Sequence, residues 1–306
     1  MGGSEDGHSN MNRRILGAAA CAFIATGGAG QAGAIFAPGT DQAYVEQVED
    51  KLHTPRAGRT DPFVTYGTDT NGDAIKWGGT TYGTPGGVVT WSLVPTGTNC
   101  TIMQQFGDCG SGTTTALADA MPSGFETAIT NAFGAWEAVA DISFQQVSDD
   151  GSPNGALNGN FGDIRISGYS IDGPGGVLAY AFNPDRSFDP FDSLRGDIFF
   201  DLDETWSLGG TTTSFDIFFV ALHEIGHSIG LGHECGNDGT ATPCEVAVMN
   251  PYYNPALSAL QADDIAGAQF IYGEAAAVPL PGGIAFLSGG VIFLGALGLR
   301  RRRRAA

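Results

Sequence analysis

An α+β fold is predicted by three features of the sequence. Short alternating segments crowd its first half, helical periods fill its second, and nothing repeats at a fixed interval. The chain of 306 residues is long enough for one or two domains with a sizeable core, and at 42% apolar it is no disordered chain. Its 47 glycines and many threonines favour turns and strands over a helical bundle.

The elements follow in order. Residues 35–72 are polar without a sustained period and read as a pro-segment or linker ahead of a domain at 73–274. Val88–Val94 alternates as a strand. Residues 95–122, rich in Gly and Thr, read as a surface insertion. Ser123 opens a helix, with Glu126 completing a capping box. Phe125, Ala128, Ile129, Ala132, Phe133, Trp136 and Val139 recur at helical spacing, which gives that helix an apolar face. Strands are predicted at Ile142–Phe144, Asp163–Ile166, Leu178–Phe182 and Ile198–Phe200. A second helix runs from Asp216 to Ile229, and a third, Ala262–Ile271, stops at Gly273, a good C-cap residue.

Charge separates the ends from the body. Seven of the 14 basic residues lie at the termini: Arg13, Arg14 and the run Arg300–Arg304. Arg13-Arg14, the apolar stretch Ile15–Ala25 and the A-x-A site Ala32-Gly33-Ala34 read as a secretory signal peptide over residues 1–34. Met11 suits its start better than Met1, because the residues between them are acidic and polar. At the other end, residues 278–306 hold Val278-Pro279-Leu280-Pro281, an uncharged span at 282–299 and then the arginines. Eighteen helical residues reach about 27 Å, enough to cross a bilayer core, and the Arg cluster predicts a cytoplasmic C-terminus. Without these ends the body carries 31 acids and seven bases, a charge near −24. That excludes a nucleic-acid partner, since phosphate binding needs a basic face.

Export agrees with the cysteines. Outside the leader, Cys100, Cys109, Cys235 and Cys244 form two pairs, each nine apart, which suits local disulfides Cys100–Cys109 and Cys235–Cys244. The pairings 100–235 with 109–244, or 100–244 with 109–235, satisfy the same count.

The chemistry is concentrated in His223-Glu224-Ile225-Gly226-His227-Ser228-Ile229-Gly230-Leu231-Gly232-His233. His223 and His227 are i and i+4 on one helix, so both imidazoles leave the same face and can share one metal. The helix must then stop for a third ligand to swing back, and Gly230 tolerates the positive φ this needs. With His233 the site has three neutral nitrogens and an open fourth position, the pattern of one catalytic zinc. Glu224 is placed to act as general base on a metal-activated water and then to protonate the leaving amine.

H-E-x-x-H-x-x-G-x-x-H followed by Val248-Met249-Asn250-Pro251-Tyr252-Tyr253 resembles the metzincin zinc peptidases, and among them the matrixins. The likeness extends over residues 85–273 and includes Gly196–Trp206 (GDIFFDLDETW) and Leu260–Gly273 (LQADDIAGAQFIYG). It implies a zincin-like domain with a twisted, mostly parallel mixed sheet and three helices, and an endopeptidase acting on extracellular or surface proteins. By the same resemblance Met249 lies beneath the zinc ligands. Leu178 and Ala179 belong to the edge strand that pairs with substrate, and Pro251–Tyr253 form a wall of the pocket after the scissile bond. A calcium site is implied at Asp172, Asp201 and Glu204, with the carbonyls of Gly173, Gly175 and Val177. The C-terminal segment resembles the PEP-CTERM sorting signals of the Val-Pro-Leu-Pro-Ala type, with Gly282 in place of Ala. This implies a bacterial exosortase as partner, initial inner-membrane anchoring and final placement at the surface or outside the cell.

Two departures stand out. At the four positions where matrixins hold a second, structural zinc, this chain has Arg165, Ser167, Tyr180 and Phe199, so one zinc per chain is expected. Pro55-Arg56-Ala57-Gly58 resembles the latency motif but lacks its cysteine. The rival readings are a catalytically weak binding or matrix-structural protein displayed at the surface, and a protease that processes itself or one dedicated partner.

Overall fold

The computed structural model describes residues 32–52, 63–69, 71–106, 108–186, 192–234 and 246–276. Its main sheet has six strands. In chain order these are β1 (Ala32–Phe36), β2 (Gly87–Leu93), β3 (Ile142–Gln146), β4 (Ile164–Tyr169), β5 (Val177–Phe182) and β6 (Ile198–Asp201). Across the sheet they run β1-β5-β6-β4-β2-β3, with β5 antiparallel to both its neighbours and the other pairs parallel. Central β4, β5 and β6 are buried along their whole length, as expected of strands covered on both faces. A small parallel pair, β7 (Trp206–Ser207) and β8 (Phe215–Asp216), lies apart.

Among the described residues five α-helices accompany the sheet: α1 (Gln42–Leu52), the one-turn α2 (Leu117–Ala120), α3 (Phe125–Glu137), α4 (Ile217–Ser228) and α5 (Ala262–Tyr272). The apolar face of α3 packs with α4 and with Val89, Trp91, Ile164, Ile166, Ile198 and Phe200 in the larger core. The expected capping box of α3 does not form. Its N-cap is Gly124 at φ +99°, and Glu126 instead accepts a bond from Gln146 Nε2 at 2.7 Å. Pro122 sets up this entry, its carbonyl accepting from Phe125 N, so the turn takes the place Ser123 would have needed. At α4 the cap is Asp216, whose carboxylate accepts from Phe218 N, and α5 ends at Gly273 with φ +83°.

A second core lies on the opposite face of the sheet, and it takes in parts of two segments for which the sequence predicts no packing. Residues 35–72 include α1, whose Val45 and Leu52 are buried. Its apolar residues Val45, Val48 and Leu52 do fall at helical spacing, but among too many acids to register as a period. Residues 95–122 are no loose surface insertion. Cys100, Met103 and Cys109 are fully buried with α1 and β1, and a disulfide joins the two cysteines. Strand β1 also starts at Ala32, inside the segment read as leader. The rest of that leader, residues 53–62, the pair Cys235–Cys244 and the C-terminal segment 278–306 lie outside the described residues. Among the described residues no helix is long and apolar enough to cross a membrane.

Candidate metal centre and active-site cleft

Helix α4 is buried on nearly every side, and side-chain donors reach its backbone carbonyls at mid-helix and at the C-terminal end. Trp136 Nε1 donates to Leu222 O at 3.0 Å, Trp77 Nε1 to Ser228 O at 2.8 Å, and the Tyr272 hydroxyl to Ile229 O at 2.8 Å. The chain then turns at Gly230 with φ +106°, where a Cβ would meet Ile75 O at 2.7 Å. This turn is the one expected from the sequence, and it swings His233 back towards His223 and His227.

All three imidazoles are fully buried, and all three turn their Nε2 atoms towards one point. The Nδ1 of His223 lies 2.7 Å from Val248 O, and that of His227 lies 2.8 Å from Leu231 O. A carbonyl can only accept, so each Nδ1 carries the proton and each Nε2 presents a bare lone pair. His233 Nδ1 lies 2.8 Å from Glu49 Oε1, where a carboxylate plays the same part. The Nε2 of His227 lies 2.9 Å from that of His223 and 3.2 Å from that of His233. These separations approach the roughly 3.4 Å between nitrogen ligands around one tetrahedral zinc. Three converging acceptors without a proton between them fit a cation and little else. Burial, reinforced by the neighbouring imidazoles, lowers His223 to about 3 and His227 well below its ordinary value, so both stay neutral and ready to ligate.

Glu224 is fully buried beside them. One oxygen, Oε1, accepts from Ile35 N at 3.3 Å, and Oε2 meets no protein donor among the described residues. Desolvation raises its pKa well above the usual carboxylate value, so it holds a proton more readily than an exposed glutamate does.

Met249 forms the floor. Its sulfur packs so closely on α4 that a Cβ at Gly226 would lie 2.2 Å from Sδ. The Met249 turn is held from below by Asp264, whose carboxylate accepts from Val248 N at 2.9 Å, Met249 N at 3.1 Å and Gln261 N at 2.7 Å. Val248 O is also the acceptor for His223, so Asp264 steadies a metal ligand through one peptide unit.

Leu178 and Ala179 lie in β5 as expected, but β5 is not an edge. Its outer side is taken by β1, with Ile35 opposite Ala179 and Ala34 opposite Tyr180. On its other side β1 meets the wall segment: Phe36 N donates to Pro251 O at 2.8 Å, and Tyr253 N donates to Phe36 O at 2.9 Å. The cleft is thus filled by the chain's own N-terminal strand.

The four residues standing at the second-zinc positions have other partners. Arg165, 1% exposed, makes a two-pronged ion pair with Asp149 at 2.8 and 2.9 Å. Tyr180 stacks on Phe199 and shares a hydroxyl contact with Tyr169, and Ser167 pairs with Phe199 across β4 and β6. The acids of the implied calcium site do gather. Asp201 accepts from the amides of Ile171 and Asp172, Asp172 from Val177 N and the Tyr44 hydroxyl, and Glu204 from Gly175 N. Gly175 and Val177 thus turn their amides to this cluster, where their carbonyls were expected. Desolvation raises Asp201 to about 6 and Glu204 to about 7, with neighbouring carboxylates adding to the shift at Glu204.

Three residues at the centre escaped sequence reasoning: Glu49, Asp264 and Tyr66, whose hydroxyl lies 3.4 Å from His227 Nδ1. Asp264 had a signal, since an acid at the third position of a helix with a polar N-cap suggests a capping box. Glu49 and Tyr66 had none.

Comparison with known proteins agrees with this geometry. The matrixin family model (Peptidase_M10) matches residues 113–273. Human matrix metalloproteinase-26 is 37% identical over 174 residues, 53% of this chain and 57% of the relative. Human matrix metalloproteinase-16 is 36% identical over 163 residues, 50% of this chain and 24% of that protein. The hatching enzyme of Paracentrotus lividus is 32% identical over 284 residues, 89% of this chain and 36% of that protein. The chain therefore spans between about a quarter and somewhat over half the length of these relatives.

Proposed function

The chain belongs to the matrixin family, and on that premise we propose that it is a zinc-dependent endopeptidase of extracellular or surface proteins. The observation that carries the proposal is the meeting of three buried, proton-free Nε2 atoms beside an equally buried Glu224. His223, His227 and His233 would hold the zinc. When bound, zinc supplies Lewis-acid activation of water and positive charge to meet the developing oxyanion. Glu224 takes the proton of the attacking water and delivers it to the leaving amine nitrogen. With β1 displaced from the cleft, the backbone edges of β5 and of Pro251–Tyr253 align an extended peptide between them, and Met249 with Asp264 keeps His223 in position.

The leader and the C-terminal segment support export, passage through an inner-membrane-anchored state and processing by an exosortase. The Asp172, Asp201 and Glu204 cluster supports a bound calcium, since three carboxylates lie together with two of them held above their ordinary pKa.

The test uses the purified chain with one equivalent of zinc and a denatured protein as substrate. Wild type should digest it, and Glu224→Ala should be slower by about 10²–10⁴-fold while binding zinc equally well. Equal rates for the two would sink the enzyme reading and favour a binding protein on the same scaffold.

A further inference from the structure

Residues 32–52 hold the molecule in two different ways. Strand β1 fills the cleft between β5 and Pro251–Tyr253, so a peptide substrate needs its place. Helix α1 rests on the second core instead, where Val45 and Leu52 pack with Met103, Tyr180 and Phe199. Pro38 and Gly39 link the two in an exposed turn, with Gly39 at φ +85° and open space around it. Movement at this turn lets β1 leave the cleft while α1 stays.

Polar contacts fasten α1 along its length. Gln42 Oε1 accepts from the Tyr252 hydroxyl at 3.0 Å, the Tyr44 hydroxyl donates to Asp172 at 2.6 Å, and Lys51 Nζ meets Asp108 at 3.1 Å. Glu49 is the residue out of place. It stands four after Val45 and three before Leu52, so it lies on the helix's buried stripe, and it is 1% exposed. A carboxylate buried on such a stripe is costly unless a donor meets it, and here the donor is His233 Nδ1 at 2.8 Å.

The three ligating imidazoles differ in this respect. His223 and His227 lean on Val248 O and Leu231 O, backbone of the stretch that carries the ligands themselves. His233 leans on a side chain of α1, 184 residues away. Taking α1 away would strip the acceptor from a buried ligand, free its ring to turn and open the second core to water. Taking the peptidase reading above as its premise, we infer that α1 is a permanent part of the active enzyme, with Glu49 as the positioning residue for His233. What gives way to substrate is β1 alone. Trimming of the N-terminal region that preserves function therefore ends ahead of Gln42 and does not continue past Leu52.

The test uses the full chain in two forms, each carrying one inserted recognition sequence for a specific endoprotease, after Gly39 or after Gly58. Both are loaded with zinc, cut, and passed through gel filtration under native conditions. The chain cut after Gly39 should digest a denatured protein faster than before the cut and keep its zinc. The chain cut after Gly58 should carry α1 through the column. Once dilute urea strips α1 from it, competition with a chelator should show zinc held about 10–100-fold less tightly. Point changes in the chain cut after Gly39 separate positioning from packing. Glu49→Ala should lower zinc affinity and kcat while KM for a peptide stays the same, since Glu49 acts through His233. Leu52→Ala, which loosens α1 by lost packing alone, should lower the unfolding temperature and leave zinc affinity as it was.

Release of α1 from the chain cut after Gly58, with zinc affinity and hydrolysis undiminished, overturns the inference. Equal losses of zinc affinity in Glu49→Ala and Leu52→Ala overturn the positioning role, because packing alone then accounts for both. Zinc affinities that follow the expected pattern in a chain that digests no added protein overturn the peptidase reading instead, and leave Glu49 as the partner of His233.

Discussion

The floor and the cover of the cleft were built from very different stretches of chain. The floor is local: His223, Glu224, His227 and His233 fall within eleven consecutive residues, and Met249 and Asp264 follow soon after. The cover is remote: Ile35 and Glu49 reach Glu224 and His233 across 189 and 184 residues of sequence. The identity of the chemistry is set by the floor, where spacing on one helix and one glycine turn fix the ligands. Access and fine tuning belong to the cover, whose contacts exist only once the whole sheet has closed. If that division holds, changes in the floor should abolish function, and changes in the cover should only grade it.

The largest effect is expected at His227. Replacing it with Ala removes the ligand that lies between the other two, so bound zinc should fall to background by metal analysis. Hydrolysis should drop by more than the about 10²–10⁴-fold lost with Glu224 alone. Retention of stoichiometric zinc in His227→Ala would break the assignment of the floor. Next comes Asp264→Ala, a change outside the ligand set. It strands the buried amides of Val248 and Met249, at about 1–3 kcal/mol each. Thermal unfolding should fall by about 10 °C, while Asp264→Asn, which keeps one acceptor oxygen, should fall by less. A negligible shift in Asp264→Ala would mean that the Met249 turn is held by packing alone.

In the cover, Glu49→Ala should weaken zinc binding about 10–100-fold, the usual cost of losing the partner that orients a ligating imidazole. Glu49→Gln should keep most of the affinity, because its amide oxygen can still accept from His233 Nδ1. Competition with a chelator measures both. An unchanged affinity in Glu49→Ala would reduce α1 to a passive lid and sharpen the contrast between floor and cover.

The same division explains what could be read from the sequence. The strands from β2 to β6, the core-facing stripe of α3 and the bend at Gly230 follow from period, caps and glycine, all of which act over a few residues. Helix α1 was lost because Val45, Val48 and Leu52 stand among acids, and only packing against β1 and the Cys100–Cys109 loop, remote in sequence, seats them in a core. Ser123 failed as a cap because Gly124 and Pro122 offered the chain a tighter entry. No local pattern could have shown that β5 has a neighbour, since the strand that covers it lies more than 140 residues earlier.

The smallest effect expected is one of pH, and it runs in opposite directions in the two regions. In the zinc-free chain His223 sits at about 3, below its unfolded value of about 6.5, mainly because burial disfavours the imidazolium. The unfolded chain then binds more protons in that window, so the floor loses stability as pH falls from about 6.5 towards 3. Asp201 and Glu204 behave inversely. They are held at about 6 and about 7, chiefly by burial, against unfolded values near 4. Here the folded chain retains protons that the unfolded chain has released, so stability is lost as pH rises from about 4 through 7. This acid cluster is tied to the cover, because the Tyr44 hydroxyl of α1 donates to Asp172 at 2.6 Å. Calcium should offset the loss only where the carboxylates are ionised. In zinc-free Glu224→Gln, calcium should raise the unfolding temperature by a few degrees at pH 8 and by clearly less at pH 5. An equal rise at both would place the bound ion away from Asp201 and Glu204, and no rise at either would leave the cluster as a set of acids held by backbone amides alone.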